Sequence, residues 1–103
     1  MKKIFICSPY RGNVEENIRK AKEYSRSCCK QGMIPLTPHL YFTQFLDDEN
    51  EEERELGIQM GLELLAECSE VWVFGNPSSG MKKEIAFAKK LGIPVIQKDI
   101  SSI

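Results

Sequence analysis

The sequence predicts a three-layer α/β fold of the Rossmann or flavodoxin-like kind, with a parallel four-stranded sheet. Short apolar segments alternate with longer segments of helical periodicity, as is typical of parallel strands covered by helices on both faces. Turns rich in Gly, Pro, Ser and Asn follow the first and third apolar segments. Prolines lie in the second and fourth, at Pro35 and Pro94, and proline cannot donate a hydrogen bond within a sheet. Right-handed crossovers limit the possible strand orders, and the expected order is 2-1-3-4, which places both of these strands at the edges.

The first third of the chain is expected to contain two strands and one long helix. A continuous apolar strand is predicted at residues 3–7, and a second strand at residues 33–36. Between them a helix is predicted at residues 14–31, with Asn13 as its N-cap and Glu16 three residues later, a variant of the capping box. The inner face of this helix follows alternating steps of four and three: Val14, Ile18, Ala21, Ser25 and Cys28.

The middle of the chain combines an aromatic segment with a glycine-containing helix. Residues 39–48 are predicted to form a short helix or an ordered flap, and residues 51–68 a third helix. Gly57 and Gly61 lie inside that helix, and each costs about 1 kcal/mol relative to Ala. Their spacing of four predicts a close approach by a partner helix, another subunit or a ligand. Three flap side chains are expected to be packed inward, namely Phe42, Phe45 and Leu46.

Glu84 is the most unusual residue of the last third. A buried strand is predicted at residues 70–74, a polar turn at 75–80, a helix from about residue 81, and a final strand at 93–96. No basic residue stands three or four positions from Glu84, so no local ion pair explains it. It is predicted to lean inward, although a solvated glutamate at a helix start is the commoner case. It borders the predicted inward stripe of that helix, which consists of Met81, Ile85, Ala88 and Leu91.

Composition excludes several classes of protein. The chain has 103 residues and is predicted to be a single domain, residues 1–103, with little surplus core, so a homo-oligomer is expected. A net charge of −1 argues against a nucleic-acid surface. No signal peptide, membrane span or CxxC motif is expected, so the predicted location is the cytoplasm, with reduced cysteines and neither a metal nor a cofactor. GxGxxG and Walker A motifs are absent from the sequence.

The predicted topology brings two polar turns together. The chain winds in opposite directions from strands 1 and 3, and ligands bind beyond the carboxyl ends of the strands at such a switch point. The turns at residues 8–13 and 75–80 emerge there. Arg11 offers a planar fork for phosphate or carboxylate, and Ser78 and Ser79 with the free helix amides suit phosphate or sugar oxygens. Glu84 could attack an anomeric carbon or hold a sugar hydroxyl. An aromatic wall for a base is expected from Tyr10, His39 and Tyr41.

Each of these interpretations has a structural alternative. Arg11 alone is equally well explained as a surface charge, and Ser78 and Ser79 as a simple helix cap. His39 next to a proline is more often structural than catalytic. Tyr41 is more often a core residue than part of a ligand site.

Three segments of the sequence resemble the nucleoside 2-deoxyribosyltransferase-like superfamily. KIFICSPYRGN at residues 3–13 is similar to that family's strand, small-residue turn and Arg-Gly pair. SSGMKKE at residues 78–84 is similar to its Asp or Ser, Gly and nucleophilic Glu pattern, and LGIPV at residues 91–95 closes the unit. The flap does not resemble the classical transferases but an uncharacterised branch of the superfamily.

The resemblance implies a specific chemistry. Glu84 would attack the anomeric carbon of a nucleoside or its monophosphate, and water or another base would resolve the glycosyl-enzyme with retention. Ser78 stands where the nucleotide N-hydrolases of this superfamily carry the Ser that helps to bind the 5′-phosphate, which with Arg11 favours a nucleotide. The expected substrate-binding residues are Ser8, Tyr10, Arg11, Gly12, Asn13, His39, Tyr41, Ser78, Ser79 and Gly80.

The resemblance leaves the general acid open. The family carries an Asp in the helix before strand 3, and the matching segment here reads Met60-Gly61-Leu62-Glu63. Glu63, Asp47 and Asp48 are the candidates. Active sites of this superfamily are often completed by a neighbouring subunit. A non-catalytic nucleotide- or nucleotide-sugar-binding module with the same crevice is the alternative function.

Overall fold

The computed structural model describes residues 1–99. The elements follow one another in the predicted alternation, and the flap, which spans residues 38–48 in the structure, contains a single turn of helix (α2) and a 3₁₀ turn. In chain order they are β1 (Lys3–Cys7), α1 (Val14–Lys30), β2 (Ile34–Leu36), α2 (Pro38–Tyr41), the 3₁₀ turn (Phe42–Gln44), α3 (Glu51–Leu65), β3 (Glu70–Phe74), α4 (Ser79–Lys90) and β4 (Val95–Lys98).

The sheet confirms the predicted topology. Its four strands are parallel and lie in the order β2-β1-β3-β4, with Ile6 opposite Trp72 and Trp72 opposite Ile96. Pro35 lies in the edge strand β2, where its missing donor is tolerated. The last strand was predicted at residues 93–96 but begins at Val95, so Pro94 directly precedes this edge strand, and the Pro94 carbonyl accepts a hydrogen bond of 2.9 Å from the Val71 amide. The central pair, β1 and β3, therefore carries neither proline.

Alternation along β1 and β3 divides the core into two layers. Phe5 and Val71 point toward α3 and α4, and they pack with Leu65, Met81 and Ala88. The other layer lies under α1, where the rings of Tyr24 and Phe74 stack with centroids 3.8 Å apart. The remaining members of this second layer are Ile4, Ile6, Cys28 and Trp72. Helices on both faces of the sheet thus give the three predicted layers.

Three predictions about inward-facing residues were wrong. Val14 was expected on the inner face of α1 but is 38% exposed, and it is the first residue of that helix. Leu91 was expected in the inner stripe of α4 but is 47% exposed, because the helix ends at Lys90 and Leu91 already belongs to its C-cap. Phe45 was expected inside but is 58% exposed, and it makes edge contacts with the rings of Tyr41 and Phe42. The third helix is also shorter than predicted and ends at Leu65.

The glycines of α3 lie against the chain's own flap. A Cβ atom on Gly61 would lie 3.5 Å from Cβ of Pro38, and one on Gly57 would lie 3.6 Å from Cδ1 of Leu46. The spacing predicted a partner helix, another subunit or a ligand; the structure places the short helix α2, through Pro38, and the loop residue Leu46 of the same chain against these glycines. This contact holds the flap close to the carboxyl ends of β1 and β3. No helix within residues 1–99 is long and apolar enough to cross a membrane.

Candidate active site

The two breaker-rich turns meet in one crevice, as the topology predicts. The crevice has a volume of about 210 Å³ and lies between the turn after β1, the flap, α3 and the start of α4. A narrower extension of about 90 Å³ runs between the flap and α3 and shares Glu84 and His39 with it. The predicted site residues that line the crevice are Ser8, Tyr10, Arg11, His39, Ser78, Ser79, Gly80 and Glu84.

Glu84 lies half-buried in the first half of α4 and borders the crevice. Among residues 1–99 no cation lies within ion-pair distance of its carboxylate, whereas Oε1 accepts a hydrogen bond from the Cys7 thiol at 3.3 Å. Burial raises the pKa of Glu84 to about 7, and the thiol hydrogen bond opposes this only partly. A carboxyl group that changes charge near neutral pH is common in active sites.

Cys7 is the last residue of β1 and is fully buried. Burial is the main reason that the pKa of its thiol is raised far above its ordinary value, and the neighbouring Glu84 carboxylate raises it further. The thiol therefore stays protonated and remains a donor toward Glu84. From the sequence, Cys7 was expected only to be a reduced cysteine, because a strand position does not reveal which helix residue faces it.

This contact gives a first prediction. Replacing Cys7 with Ala removes the donor that favours the ionised carboxylate, so the pKa of Glu84 should rise above about 7, whereas Cys7→Ser should hold it at or below that value. The measurement is a carboxyl-carbon NMR titration of protein labelled at glutamate.

Cys68→Ala is the matched control for Cys7→Ala. Cys68 is also buried, but its thiol donates to the Leu64 carbonyl, at 3.5 Å, and not to Glu84. An equal change in the titration of Glu84 in both alanine variants would contradict the assigned role of Cys7.

His39 lies on α2 and faces the turn after β1. Its Nε2 atom is 3.1 Å from Oγ of the buried Ser8, and its ring meets that of Tyr10 edge-on with centroids 6.4 Å apart. Burial lowers the pKa of His39 to about 4, so the ring is neutral at pH 7. A neutral imidazole next to an aromatic ring suits contact with a sugar or base and not the binding of an anion.

Positive charge in the crevice comes from Arg11 and Arg54. Arg11 donates from Nε to Oδ2 of Asp48 and from Nη2 to the Asp48 carbonyl, both at 2.8 Å. Nε of Arg54 lies 3.9 Å from Oδ1 of the same carboxylate. A Cβ atom on Gly80 would lie 3.9 Å from Nη2 of Arg54, so this guanidinium also stands beside the start of α4. Arg54 was not predicted as a site residue from the sequence.

The start of α4 supplies hydroxyls and backbone amides. Ser78 is the N-cap, and its hydroxyl accepts a hydrogen bond of 3.4 Å from the Met81 amide, as the capping alternative expected. Ser78 and Ser79 are exposed toward the crevice entrance, and Gly80 is half-buried. Capping does not consume the hydroxyl hydrogen of Ser78, which remains able to donate to a ligand.

The structure does not bring every predicted residue to the crevice. Tyr41 is 60% exposed and borders a separate groove beside β2. Asn13 caps α1 by accepting from the Glu16 amide at 3.2 Å. Gly12 borders an outer groove next to Tyr10 and Arg11.

The three candidate general acids also differ in position. Asp48 lines the crevice, Asp47 borders only the outer groove, and Glu63 is exposed on α3. No group of His, Cys, Asp or Glu side chains able to hold a metal ion occurs in the described part of the chain.

The fold is nucleoside 2-deoxyribosyltransferase-like. The 2-deoxyribosyltransferase of the psychrotolerant bacterium Bacillus psychrosaccharolyticus matches with a TM-score of 0.74 and 17% identity, over 92% of this chain and 70% of that one. The 2-desoxiribosyltransferase of Leishmania mexicana matches with a TM-score of 0.63 and 17% identity, over 94% of this chain and 63% of that one. These structures confirm the fold that the three sequence segments implied.

Sequence comparison places the chain more narrowly. Residues 2–98 match the model of the family described as "Domain of unknown function (DUF7768)", and the chain belongs to that family. No curated protein matches the sequence.

Proposed function

We propose that this protein cleaves or transfers the N-glycosidic bond of a nucleoside or nucleotide, with Glu84 as the nucleophile at the anomeric carbon. The observation that supports this most is the half-buried carboxylate of Glu84, which borders a crevice and has no ion-pair partner within residues 1–99. A structural glutamate at this depth would be expected to be paired. The likeness to two 2-deoxyribosyltransferases supports the same class of reaction.

The reaction would proceed through a glycosyl ester. A carboxylate oxygen of Glu84 attacks C1′, the C1′–N bond breaks, and its electron pair leaves with the base, which takes up a proton. Water, or a nitrogen of a second base, then attacks C1′, loses a proton and releases Glu84 as a carboxylate. Because each step inverts C1′, the product keeps the starting configuration. Oε1 already accepts the Cys7 hydrogen bond, so Oε2 is the oxygen best placed to attack.

The remaining crevice residues would each contact a different part of the ligand. Tyr10 and His39 form a neutral, partly aromatic side of the crevice that suits a sugar or base. On the other side, the hydroxyls of Ser78 and Ser79 and the first amides of α4 suit a phosphate. Arg11 and Arg54 add positive charge there, which favours a nucleoside monophosphate over a neutral nucleoside.

A second candidate function is a nucleotide-binding module without turnover. One observation favours it: the carboxylate of Asp48, the candidate general acid that lines the crevice, is occupied by an ion pair with Arg11. Without an acid, a reaction of this kind loses about 10²–10⁴-fold in rate. Binding would then persist while turnover becomes slow or absent.

The deciding experiment is a substrate panel. The protein is incubated with purine and pyrimidine nucleosides and their 5′-monophosphates, with and without a free acceptor base, and base release and base exchange are followed by chromatography. Release that is faster from monophosphates than from nucleosides is the expected result. Measurable binding of a monophosphate with neither release nor exchange would reject the enzymatic proposal in favour of the binding module.

A further inference from the structure

The two arginines of the crevice converge on a single acidic residue of the flap. Arg11 follows β1 and Arg54 lies in the first turn of α3, so they come from separate parts of the fold. Both reach Asp48, whose carboxylate lies between them, 2.8 Å from Nε of Arg11 and 3.9 Å from Nε of Arg54. Two guanidinium groups around one anion are the arrangement used by proteins to bind phosphate.

Asp48 and the preceding Asp47 differ in their contacts. Its side chain is 25% exposed, and Arg11 binds its backbone carbonyl as well as its carboxylate. Asp47, the preceding residue, is exposed, and within residues 1–99 its carboxylate accepts a hydrogen bond only from the nearby Glu49 amide. Asp48 therefore lies between the two arginines, whereas the adjacent Asp47 does not.

Resting on the function proposed above, we propose that Arg11 and Arg54 form the subsite for the ligand's phosphate, and that Asp48 fills this subsite until a phosphate displaces it. The Arg11 side chain of this ion pair is 56% exposed, and an ion pair at the surface contributes little free energy in water. A phosphate monoester, which has more charge and more acceptor oxygens, can therefore replace Asp48. The displaced Asp48 side chain turns toward solvent.

Self-occupation lowers the apparent affinity for phosphate, because only the fraction of molecules with an open subsite can bind. It does not affect a ligand that lacks the phosphate. Asp48 is therefore a specificity-determining residue that acts through competition, and Arg54 is one that contacts the ligand.

Direct binding tests this without requiring turnover. Isothermal titration with inorganic phosphate, a nucleoside 5′-monophosphate and the matching nucleoside is performed on wild type, Asp48→Asn, Asp47→Asn and Arg54→Gln. Asp48→Asn should bind both phosphate-containing probes about three- to tenfold more tightly and leave the nucleoside unchanged. Arg54→Gln should weaken the monophosphate about tenfold or more.

Asp47→Asn is the matched control, since it makes the same charge change one residue away. Glu49 and Glu51 also lie near the Arg11 guanidinium. The control therefore separates a general gain in phosphate affinity, caused by the loss of any negative charge, from a gain caused by removing Asp48 from the subsite. Equal affinities in the two asparagine variants, or no phosphate binding in wild type and Asp48→Asn alike, would overturn the proposal. Thermal melting verifies that each variant is folded. A gain confined to Asp48→Asn together with no base release would leave this inference standing while the enzymatic proposal fails.

Discussion

Glu84→Gln is expected to reduce base release from the best substrate of the panel by about 10³-fold or more. Glutamine fills the same space but its amide oxygen is a poor nucleophile, so the glycosyl ester cannot form. Because Glu84 has no ion-pair partner within residues 1–99, the substitution leaves no unpaired charge behind. The nucleotide's dissociation constant should stay within a few-fold of the wild-type value, and this separates a lost chemical step from a damaged site.

The control for this variant is Glu52→Gln. Glu52 is exposed in the first turn of α3, borders neither the crevice nor its extension, and undergoes the same chemical change. Single-turnover measurements on both variants should show normal rates for Glu52→Gln and a nearly complete loss for Glu84→Gln. Comparable rates in Glu84→Gln and wild type would exclude Glu84 as the nucleophile.

The topology was predictable because a few local rules constrain it strongly. Right-handed crossovers limited the possible strand orders, and Pro35 and Pro94 favoured the one with the second and fourth strands at the edges. Periodicity alone did not reveal where an element stops: Leu91 fits the stripe of α4 but follows the last helical turn. The flap was harder still, because its short helix is held by contact between Pro38 and Gly61, which no periodic pattern encodes.

Site residues on regular helices were easier to predict from the sequence than those whose contacts depend on irregular turns. Glu84 stood out since a regular helix fixes its neighbours, and none of them is basic. Arg54 gave no comparable signal: it follows the acidic run at residues 47–53, and its approach to Asp48 depends on an irregular turn. Tyr41 was placed in the site by its residue type, whereas the single turn of α2 presents His39 to the crevice and Tyr41 to solvent.

The stability of Glu84→Gln relative to wild type should depend on pH in a specified direction. The folded-state pKa of Glu84 is about 7 against an ordinary 4.5, so between these values the folded protein holds a proton that the unfolded chain has lost. The stabilisation is therefore complete below pH 4.5 and disappears as pH rises to about 7, by roughly 3 kcal/mol in total. Above pH 7 the variant, which never has to bury a charge, should be the more stable protein.

The stability of wild type has to be compared with that of Glu84→Gln because His39 also changes the stability with pH. Its pKa of about 4 in the folded state, against 6.5, means that the unfolded chain binds the extra proton between these values, so its contribution to stability increases with pH. In wild type the opposing slopes of Glu84 and His39 nearly cancel from pH 4.5 to 6.5, whereas in Glu84→Gln the slope of His39 remains. Urea unfolding at intervals from pH 4.5 to 8 should give a flat wild-type profile and a rising one for the variant. Parallel profiles would mean that the Glu84 carboxylate is already ionised at low pH, and that burial does not raise the pKa of Glu84 toward neutrality.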